Sequence, residues 1–406
     1  MIVFTDEQEF IIGRAVHWFL KETNQIFEYS GPPGTGKSLV LNEIIARLGL
    51  DPLTEIAAMS FMGSASLVMR TKGLINAKTA HSWIYDVRPV PMKDRNGKIM
   101  IDSLLNVPIL VPKFIPVSEL DSNIKLIVID EGFCMPMKLR KDIEKFGIKI
   151  LVCGDPNQLP PVNDAPAFLT GPNCYRLTKC MRQAGREDIA FIANRAKAGL
   201  PLLNGYYGNS LVIDREDLTD DMLLWADAVI CCKNKTRDML NNKIRAIKGY
   251  KSKLPGFNEK VVCRSNNWLE GVSLSNGQEI NLTNGLIGRV LSQPDVSSYD
   301  GKMFSMTFAP DLAPNAVFYN SRCNYKHMVS DYETRTHIRE NRYEIGNMFE
   351  FAYAITAHIS QGSQFHKVVY IEETMHPAMQ GSLNLVGASR ADTALIYVKN
   401  SRKNLF

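Results

Sequence analysis

Apolar residues recur at helical spacing near the start of the chain. Phe10, Ile11, Ala15, Trp18, Phe19 and Leu20 fall on one repeat, which predicts a helix over residues 9–22. Ile26 to Tyr29 then reads as a short strand, and Leu39 to Ile45 as the start of a second helix. Glu55 to Met59 reads as another strand, 64–70 as helical, and Thr79-Ala80-His81-Ser82 as a cap that opens a further helix. Five later stretches are apolar throughout rather than alternating: Lys125 to Asp130, Ile148 to Asp155, Ala228 to Cys232, Lys367 to Ile371 and Ala394 to Val398. Continuous hydrophobicity marks strands buried on both faces, as in a parallel sheet covered by helices. Strands alternating with helical stretches predict an α/β fold with two such domains.

Two segments break this pattern. Residues 85–120 hold prolines at 89, 91, 108, 112 and 116, and Asn96-Gly97 is a type I′ hairpin signal. A small β element inserted in the first domain is expected there. Residues 255–345 carry Gly, Asn and Ser turns, short alternating stretches and no long helical run, which predicts a small β-barrel inserted in the second domain. The expected division is therefore 1–84 with 121–175, 85–120, 176–254 with 346–406, and 255–345.

Composition narrows the class only a little. The chain has 406 residues, 45% hydrophobic and 22% charged, ordinary values for a globular protein of several domains. A net charge of +5 permits a nucleic-acid partner without requiring one. The eight cysteines are scattered with no C-x-x-C pair, which argues for a reducing compartment and against a zinc site. No apolar run reaches the length of a membrane helix and the N-terminus has no basic leader region, so a cytoplasmic protein without a membrane partner is expected.

The chemistry is more specific. Gly31-Pro32-Pro33-Gly34-Thr35-Gly36-Lys37-Ser38 fits G-x-x-x-x-G-K-[ST], between a predicted strand and a predicted helix. Such a turn presents backbone N–H groups and a helix N-terminus to phosphate. ATP and Mg²⁺ are the expected cofactors: Gly31, Gly34, Thr35 and Gly36 line the phosphates, Lys37 reaches the β- and γ-phosphates, and Ser38 binds the metal. Asp130-Glu131 ends an apolar strand, where one acid can hold Mg²⁺ and the other polarise water. Gln158, in Gly154-Asp155-Pro156-Asn157-Gln158-Leu159-Pro160-Pro161, is placed to contact the γ-phosphate or the attacking water. Arg182 and Arg390 are candidates to close on the γ-phosphate from the second domain.

The phosphate loop, Asp130-Glu131, Gly154 to Pro161, Leu177 to Gln183, Thr356-Ala357-His358-Ile359-Ser360-Gln361-Gly362 and Val386 to Ala391 occur in that order. The chain resembles superfamily 1 helicases of the RecD/Dda type, most of all the compact phage Dda-like enzymes. The resemblance covers nearly the whole chain. It implies two RecA-like P-loop domains, with a β-hairpin pin at 85–120 and an SH3-like β insertion containing Asn284 to Val290. It gives Gln8 to the adenine base, Arg182 and Arg390 to the two arginine fingers, Gln158 to the γ-phosphate sensor, and Gln361 and Gly362 to the nucleotide. Gly63 with Ala65, Thr79, His81, Thr356 and His358 match segments that touch single-stranded DNA. The implied activity is ATP-driven 5′ to 3′ translocation and DNA unwinding by a monomer, in replication or recombination. Implied partners are single-stranded DNA, duplex junctions and replication or single-strand-binding proteins. The chain departs from the pattern at Ile359 (usually Lys), Gln364 (usually an acid) and Met62 (usually Thr). An RNA or mixed-substrate helicase, or an ATP-switched binding protein that does not unwind, is the alternative reading. Trp83, Tyr85, Phe114, Trp268, Tyr299 and Tyr325 are candidate stacking residues, although for each the commoner role of an aromatic is core packing.

Overall fold

Thr5 and Gln8 cap each other at the start of α1 (Asp6–Lys21): the Gln8 N–H donates to the Thr5 hydroxyl and the Thr5 N–H to the Gln8 carboxamide. The helix turns Ile11, Ile12, Ala15 and Trp18 inward, close to the expected stripe. The computed structural model describes residues 3–102, 106–161, 164–179, 187–274, 279–297, 301–341 and 345–400. By contacts the chain divides into two units, one of Met1–Ile84, Ser118–Lys233 and Ile355–Phe406, the other of Tyr85–Val117 and Asn234–Ala354.

The first unit holds two sheets. Its strands in chain order begin with β1 (Ile26–Ser30), β2 (Ile56–Ser60) and β3 (Lys78–Thr79). The hairpin strands β4 (Tyr85–Pro91) and β5 (Leu110–Pro116) belong to the second unit. Next come β6 (Leu126–Ile129), β7 (Lys149–Gly154) and β8 (Tyr175–Arg176). The first sheet runs β3-β2-β6-β7-β1-β8 and every pairing is parallel. Beside it lie α2 (Lys37–Leu48), α3 (Gly63–Thr71), α4 (Ala80–Ile84) and α5 (Met137–Glu144). Trp18, Tyr29, Ile44, Ile56, Leu126 and Leu151 meet in one buried cluster between α1, α2 and this sheet. The apolar strands predicted from their continuous hydrophobicity are these central strands: β6 is buried at every position.

The second sheet is built from β9 (Gly205–Tyr207), β10 (Ser210–Ile213), β11 (Ala228–Cys231), and, after the second unit, β19 (Ala354–Thr356), β20 (Phe365–Ile371) and β21 (Ala391–Val398). Its order is β19-β11-β20-β21-β10-β9, with β11, β20, β21 and β10 parallel and β9 antiparallel at the edge. The helices of this part are α6 (Glu187–Lys197), α7 (Asp220–Trp225), α11 (Ala357–Ser360) and α12 (Pro377–Ala388). Among the described residues no helix is long and apolar enough to cross a membrane.

The second unit joins the β4–β5 hairpin to α8 (Asn234–Ile247) and to the strands β12 (Lys260–Cys263), β13 (Asn267–Ser273), β14 (Glu279–Leu282), β15 (Ile287–Val290), β16 (Met303–Pro310), β17 (Phe318–Asn324) and β18 (Phe349–Phe351). Five of these form an antiparallel sheet, β17-β16-β15-β12-β18, and β13 pairs with β14. Two short helices, α9 (Tyr325–Val329) and α10 (Tyr332–Glu340), lie in the stretch where a small β-barrel and no long helix are expected. In α10 only Ile338 is buried, so it carries no apolar stripe by which to recognise a helix. In contact terms α8 goes with this unit, since Asn241 Nδ2 donates to the carbonyls of Phe351 (3.0 Å) and Ala354 (2.8 Å).

The hairpin at 85–120 exists, but its outer turn is not type I′. That type requires positive φ at both Asn96 and Gly97, and only Gly97 has it, at +82°. Asp94 explains the change. Its carboxylate accepts from the N–H groups of Asn96 and Lys98, both at 2.9 Å, and its carbonyl accepts from Gly97 N at 3.1 Å. The result is a type I turn followed by a left-handed glycine. Tyr85, Phe114 and Trp268 then form a chain of edge-to-face rings, each step 5.9 Å, that ties the hairpin to β13.

Candidate active site

Three segments with candidate chemistry leave the first sheet at the same edge. The phosphate loop follows β1, Asp130-Glu131 follows β6, and Asp155 follows β7. Because these strands are parallel and adjacent in the order β6-β7-β1, their C-terminal ends coincide, the edge at which open α/β sheets take ligands.

The loop is held from both sides. Gln8 Nε2 donates to the Thr35 carbonyl at 3.0 Å, and the Tyr29 hydroxyl donates to the Lys37 carbonyl at 2.9 Å. Gly36 has φ +84°, and a Cβ there would lie 2.6 Å from Gln8 Nε2, so only glycine fits between the loop and α1. Lys37 Nζ bends back to the carbonyls of Gly31 (2.8 Å) and Pro32 (3.3 Å), spanning the concavity of the loop. Ser38 is the second residue of α2, and its hydroxyl accepts from Lys72 Nζ at 3.0 Å.

The acid pair is set by register. Ile129 pairs with Val152, which brings Asp130 beside Cys153, and the Cys153 thiol donates to Asp130 Oδ1 at 3.2 Å. Glu131 N donates to the same oxygen at 2.9 Å. Glu131 itself has φ +54°, a left-handed conformation uncommon for glutamate and costing on the order of 1 kcal/mol or more. Its Oε1 accepts from Gln158 Nε2 at 3.4 Å. Burial of the carboxyl and the charge of Asp130 raise its pKa, with Lys37 and Arg390 partly offsetting the rise. Burial also lifts the Cys153 and Cys134 thiols, so both stay protonated.

Arg390 comes from the second sheet, at the end of α12. It is 5% exposed, and its guanidinium donates to the carbonyls of Val386 (3.1 Å) and Ser363 (3.3 Å) and to the Ser389 hydroxyl (3.2 Å). The same sheet sends Gln361 across: its Nε2 contacts Cys134 Sγ at 3.6 Å and the Leu159 carbonyl at 3.4 Å. Gly362 abuts Ala65 at the start of α3. Thus Gln361 and Gly362 stand against first-sheet residues beside the acid pair, and not against the phosphate loop. Arg182 lies outside the described residues.

A cavity of about 450 Å³ opens in front of the loop, lined by Pro33, Gly34, Asn157, Lys179, Asn194 and Lys197 among others. That volume suits a nucleotide-sized ligand. Three buried polar atoms beside the loop, Glu131 Oε2, Asp155 Oδ2 and Gln158 Oε1, have no hydrogen-bond partner among the described residues. Ser38 and Asp130 offer oxygen atoms of the kind that suits a hard cation such as Mg²⁺ and its water shell, while among the described residues no three His, Cys, Asp or Glu side chains gather to hold a metal ion by themselves.

Of the residues expected to meet DNA, Gly63 opens α3, Thr79 caps α4 by accepting from the Ser82 N–H (3.3 Å), and Thr356 precedes α11; all three are buried. His81 and His358 are half-buried, and burial lowers the pKa of each, with Lys138 adding to the effect at His81. The Gly362–Ala65 contact brings the 356–362 segment to the Gly63 segment. Ile359, where lysine is usual, is buried at 7% exposure. Trp83 is held by a bond from its ring N–H to the Ala58 carbonyl, 2.7 Å, and Tyr299 lies outside the described residues.

Residues 7–207 match a family model described as an AAA domain. The chain is 30% identical over 218 residues to the ATP-dependent DNA helicase PIF1 of Saccharomyces cerevisiae, covering 49% of this chain and 23% of that one. It superimposes on the crystal structure of Pif1 helicase from Candida albicans with a TM-score of 0.52 at 16% identity, covering 99% of this chain and 95% of that one. Bacteroides Pif1 bound to single-stranded DNA gives 0.53 at 17% identity, covering 98% and 93%. This chain has the fold of the Pif1 helicases. The curated relatives it matches are longer: the chain spans between 21% and 37% of their lengths.

Within the Pif1 fold, several neighbours of the site have contacts that no motif announces. Asp155 is fully buried and fixes its loop by accepting from Asn157 N and Nδ2, both at 2.9 Å. Lys197 of α6 donates to Asn157 Oδ1 at 2.6 Å. Glu7 accepts from the N–H groups of Thr178 and Lys179, at 2.8 and 3.2 Å. Cys134, Cys153, Lys72 and Lys197 have no spacing that announces them; each acquires its place from register or packing.

Proposed function

We propose that this chain is an ATP- and Mg²⁺-dependent superfamily 1 DNA helicase that translocates 5′ to 3′ on single-stranded DNA. The observation that carries the reading is the convergence of Gln158, Lys37 and Arg390 on the Glu131 carboxylate, Gln158 by a hydrogen bond and the two cations by charge. Lys37 and the loop N–H groups hold the phosphates. Ser38 and Asp130 would hold Mg²⁺, which when bound would supply charge neutralisation at the γ-phosphate. Glu131 takes the proton of the attacking water, oriented by Gln158, and Arg390 with Arg182 stabilises the charge that develops. Gln8, anchored to the loop at Thr35, is the residue assigned to the base.

Gln361 links nucleotide to track in this reading. It spans from the 356–362 segment to the Leu159 carbonyl, next to Gln158, so closure over nucleotide moves Thr356 and His358 relative to Gly63, Thr79 and His81 on the single strand. The β4–β5 hairpin serves as the strand-separating pin and the five-stranded sheet with β13–β14 as the SH3-like insertion. A finer affinity with the RecD/Dda type rests on the ordered motifs. The working form is a monomer in the cytoplasm, acting at duplex junctions with replication or single-strand-binding proteins.

The test is ATP hydrolysis with and without single-stranded DNA, paired with unwinding of DNA and RNA duplexes bearing 5′ or 3′ tails. DNA-stimulated hydrolysis and unwinding of 5′-tailed DNA are expected, and Lys37→Ala abolishes both while the protein stays folded. Preference for RNA, or hydrolysis without unwinding, overturns the assignment.

A further inference from the structure

Lys72 is an exposed lysine that no motif includes, yet it is gripped twice by the helix that carries the phosphate loop. Its ammonium donates to Ser38 Oγ at 3.0 Å, and its carbonyl accepts from Asn42 Nδ2 at 2.8 Å. Ser38 and Asn42 are four residues apart on α2, hence neighbours on one face of that helix. The Lys72 backbone is also fixed, because it closes α3: its N–H donates to Met69 O at 3.1 Å, and Leu74 N donates to the same carbonyl at 3.1 Å. The ammonium is thus delivered to the Ser38 hydroxyl by a structured turn tied to α2.

The Ser38 hydroxyl is the one the proposed function gives to Mg²⁺, and the role of Lys72 rests on that reading. A hydroxyl oxygen that accepts from an ammonium has one lone pair engaged and a unit positive charge 3.0 Å away. A divalent cation ligated to the same oxygen meets that charge at close range, where like charges repel. We propose that Lys72 is a positioning residue that competes with Mg²⁺ for Ser38, and so sets the concentration of Mg²⁺ at which the site takes up metal-bound nucleotide. Relief comes when Lys72 swings from Ser38 into solvent, which its exposure permits, while Asn42 keeps its backbone in place. The device gives the site a threshold: metal-free nucleotide leaves the Lys72–Ser38 contact intact, and metal-bound nucleotide breaks it.

The experiment is a Mg²⁺ titration of the binding of a fluorescent, non-hydrolysable ATP analogue to the full chain, for wild type, Lys72→Met and Lys72→Arg. Lys72→Met keeps the aliphatic stem and removes the charge. It is expected to lower the Mg²⁺ midpoint about fivefold to tenfold and to leave binding in EDTA within about twofold. Lys72→Arg keeps the charge and is expected to stay within about twofold of wild type. An unchanged midpoint in Lys72→Met overturns the proposal. So does equal weakening with and without Mg²⁺, which makes Lys72 a phosphate ligand or a structural tie. If wild type itself binds no analogue at any Mg²⁺ concentration, the nucleotide reading fails and this proposal falls with it.

Discussion

Glu131 combines three unfavourable features at one position: a left-handed backbone, a carboxyl oxygen without a hydrogen-bond partner among the described residues, and a neighbouring acid in Asp130. Such strain persists where the surroundings over-determine it, and its place beside Lys37 and Arg390 matches the role of base proposed for it. Glu131→Gln keeps the shape and Gln158 as a neighbour but cannot accept a proton. Single-turnover measurements on single-stranded DNA are expected to show hydrolysis slowed by ~10²–10⁴-fold with nucleotide and DNA binding retained. Loss of nucleotide binding instead would make Glu131 a structural residue. At this scale the sequence was informative where chemistry is carried by contiguous residues, as in Gly31 to Ser38 and Asp130-Glu131. It was silent on Asp155 as the organiser of its loop, on the Cys153 thiol against Asp130, and on Lys197 against Asn157. Asp155 acts through loop geometry, and the other two contacts join residues 23 and 40 positions apart.

Among elements, the strands found from sequence are the central ones. β6 and β11 are buried at every position, and β7, β20 and β21 over most of theirs, which calls for apolar side chains on both faces. The strands β3, β8 and β9 went unread because two or three residues are too few to show a period. The hairpin was legible as a hairpin, while its turn type was decided by the Asp94 carboxylate. Its register offers a clean test of the proposed pin. Pro91 lies opposite Leu110, so residues 92–109 can be replaced by Asn-Gly, which closes the β4–β5 ladder with a two-residue turn. The Tyr85–Phe114–Trp268 ring chain survives this change, and the Asp102–Arg322 ion pair (2.6 Å) is lost. ATP hydrolysis on single-stranded DNA is expected to persist within about twofold while duplex unwinding falls sharply. Equal loss of both activities in a folded protein would assign the tip a structural role.

At the scale of the whole molecule, a buried cluster makes the second unit sensitive to acid. There the Glu350 carboxylate is 1% exposed and faces Arg237 (2.8 Å), Arg264 (3.3 Å) and Arg339 (2.5 Å). Burial pushes its carboxyl up, but the guanidinium charges of Arg264, Arg237, Arg339 and Arg335 outweigh burial and hold it at about 2. His327, fully buried with Nε2 3.9 Å from Glu350, is pushed down to about 4 by burial and by Arg339 and Arg335. Both groups bind protons more readily unfolded than folded, so stability falls as pH falls. The His327 contribution is lost from about 6.5 toward about 4, and that of Glu350 from about 4.5 toward about 2, each on the order of 3 kcal/mol. Melting followed by Trp268 fluorescence, in a chain whose other tryptophans are replaced by phenylalanine, is expected to move to lower temperature from pH 7 to pH 4. His327→Phe should flatten the limb above pH 4.5; an unchanged limb would remove His327 as its source. The division of the chain also has a consequence for how the protein is made. The second unit is assembled from Tyr85–Val117 and Asn234–Ala354, with the 116 residues from Ser118 to Lys233 translated in between. At roughly 5–20 residues per second, the last residue of the hairpin segment is added about 6–23 s before the first residue of its partner segment. A lone two-stranded hairpin is marginal in water, so for that interval Phe114 has no Trp268 to pack against. Translation speed through the first sheet and α6 therefore sets how long a nascent chain carries an unfinished aromatic surface, and with it the window in which a chaperone or a neighbouring nascent chain can engage it.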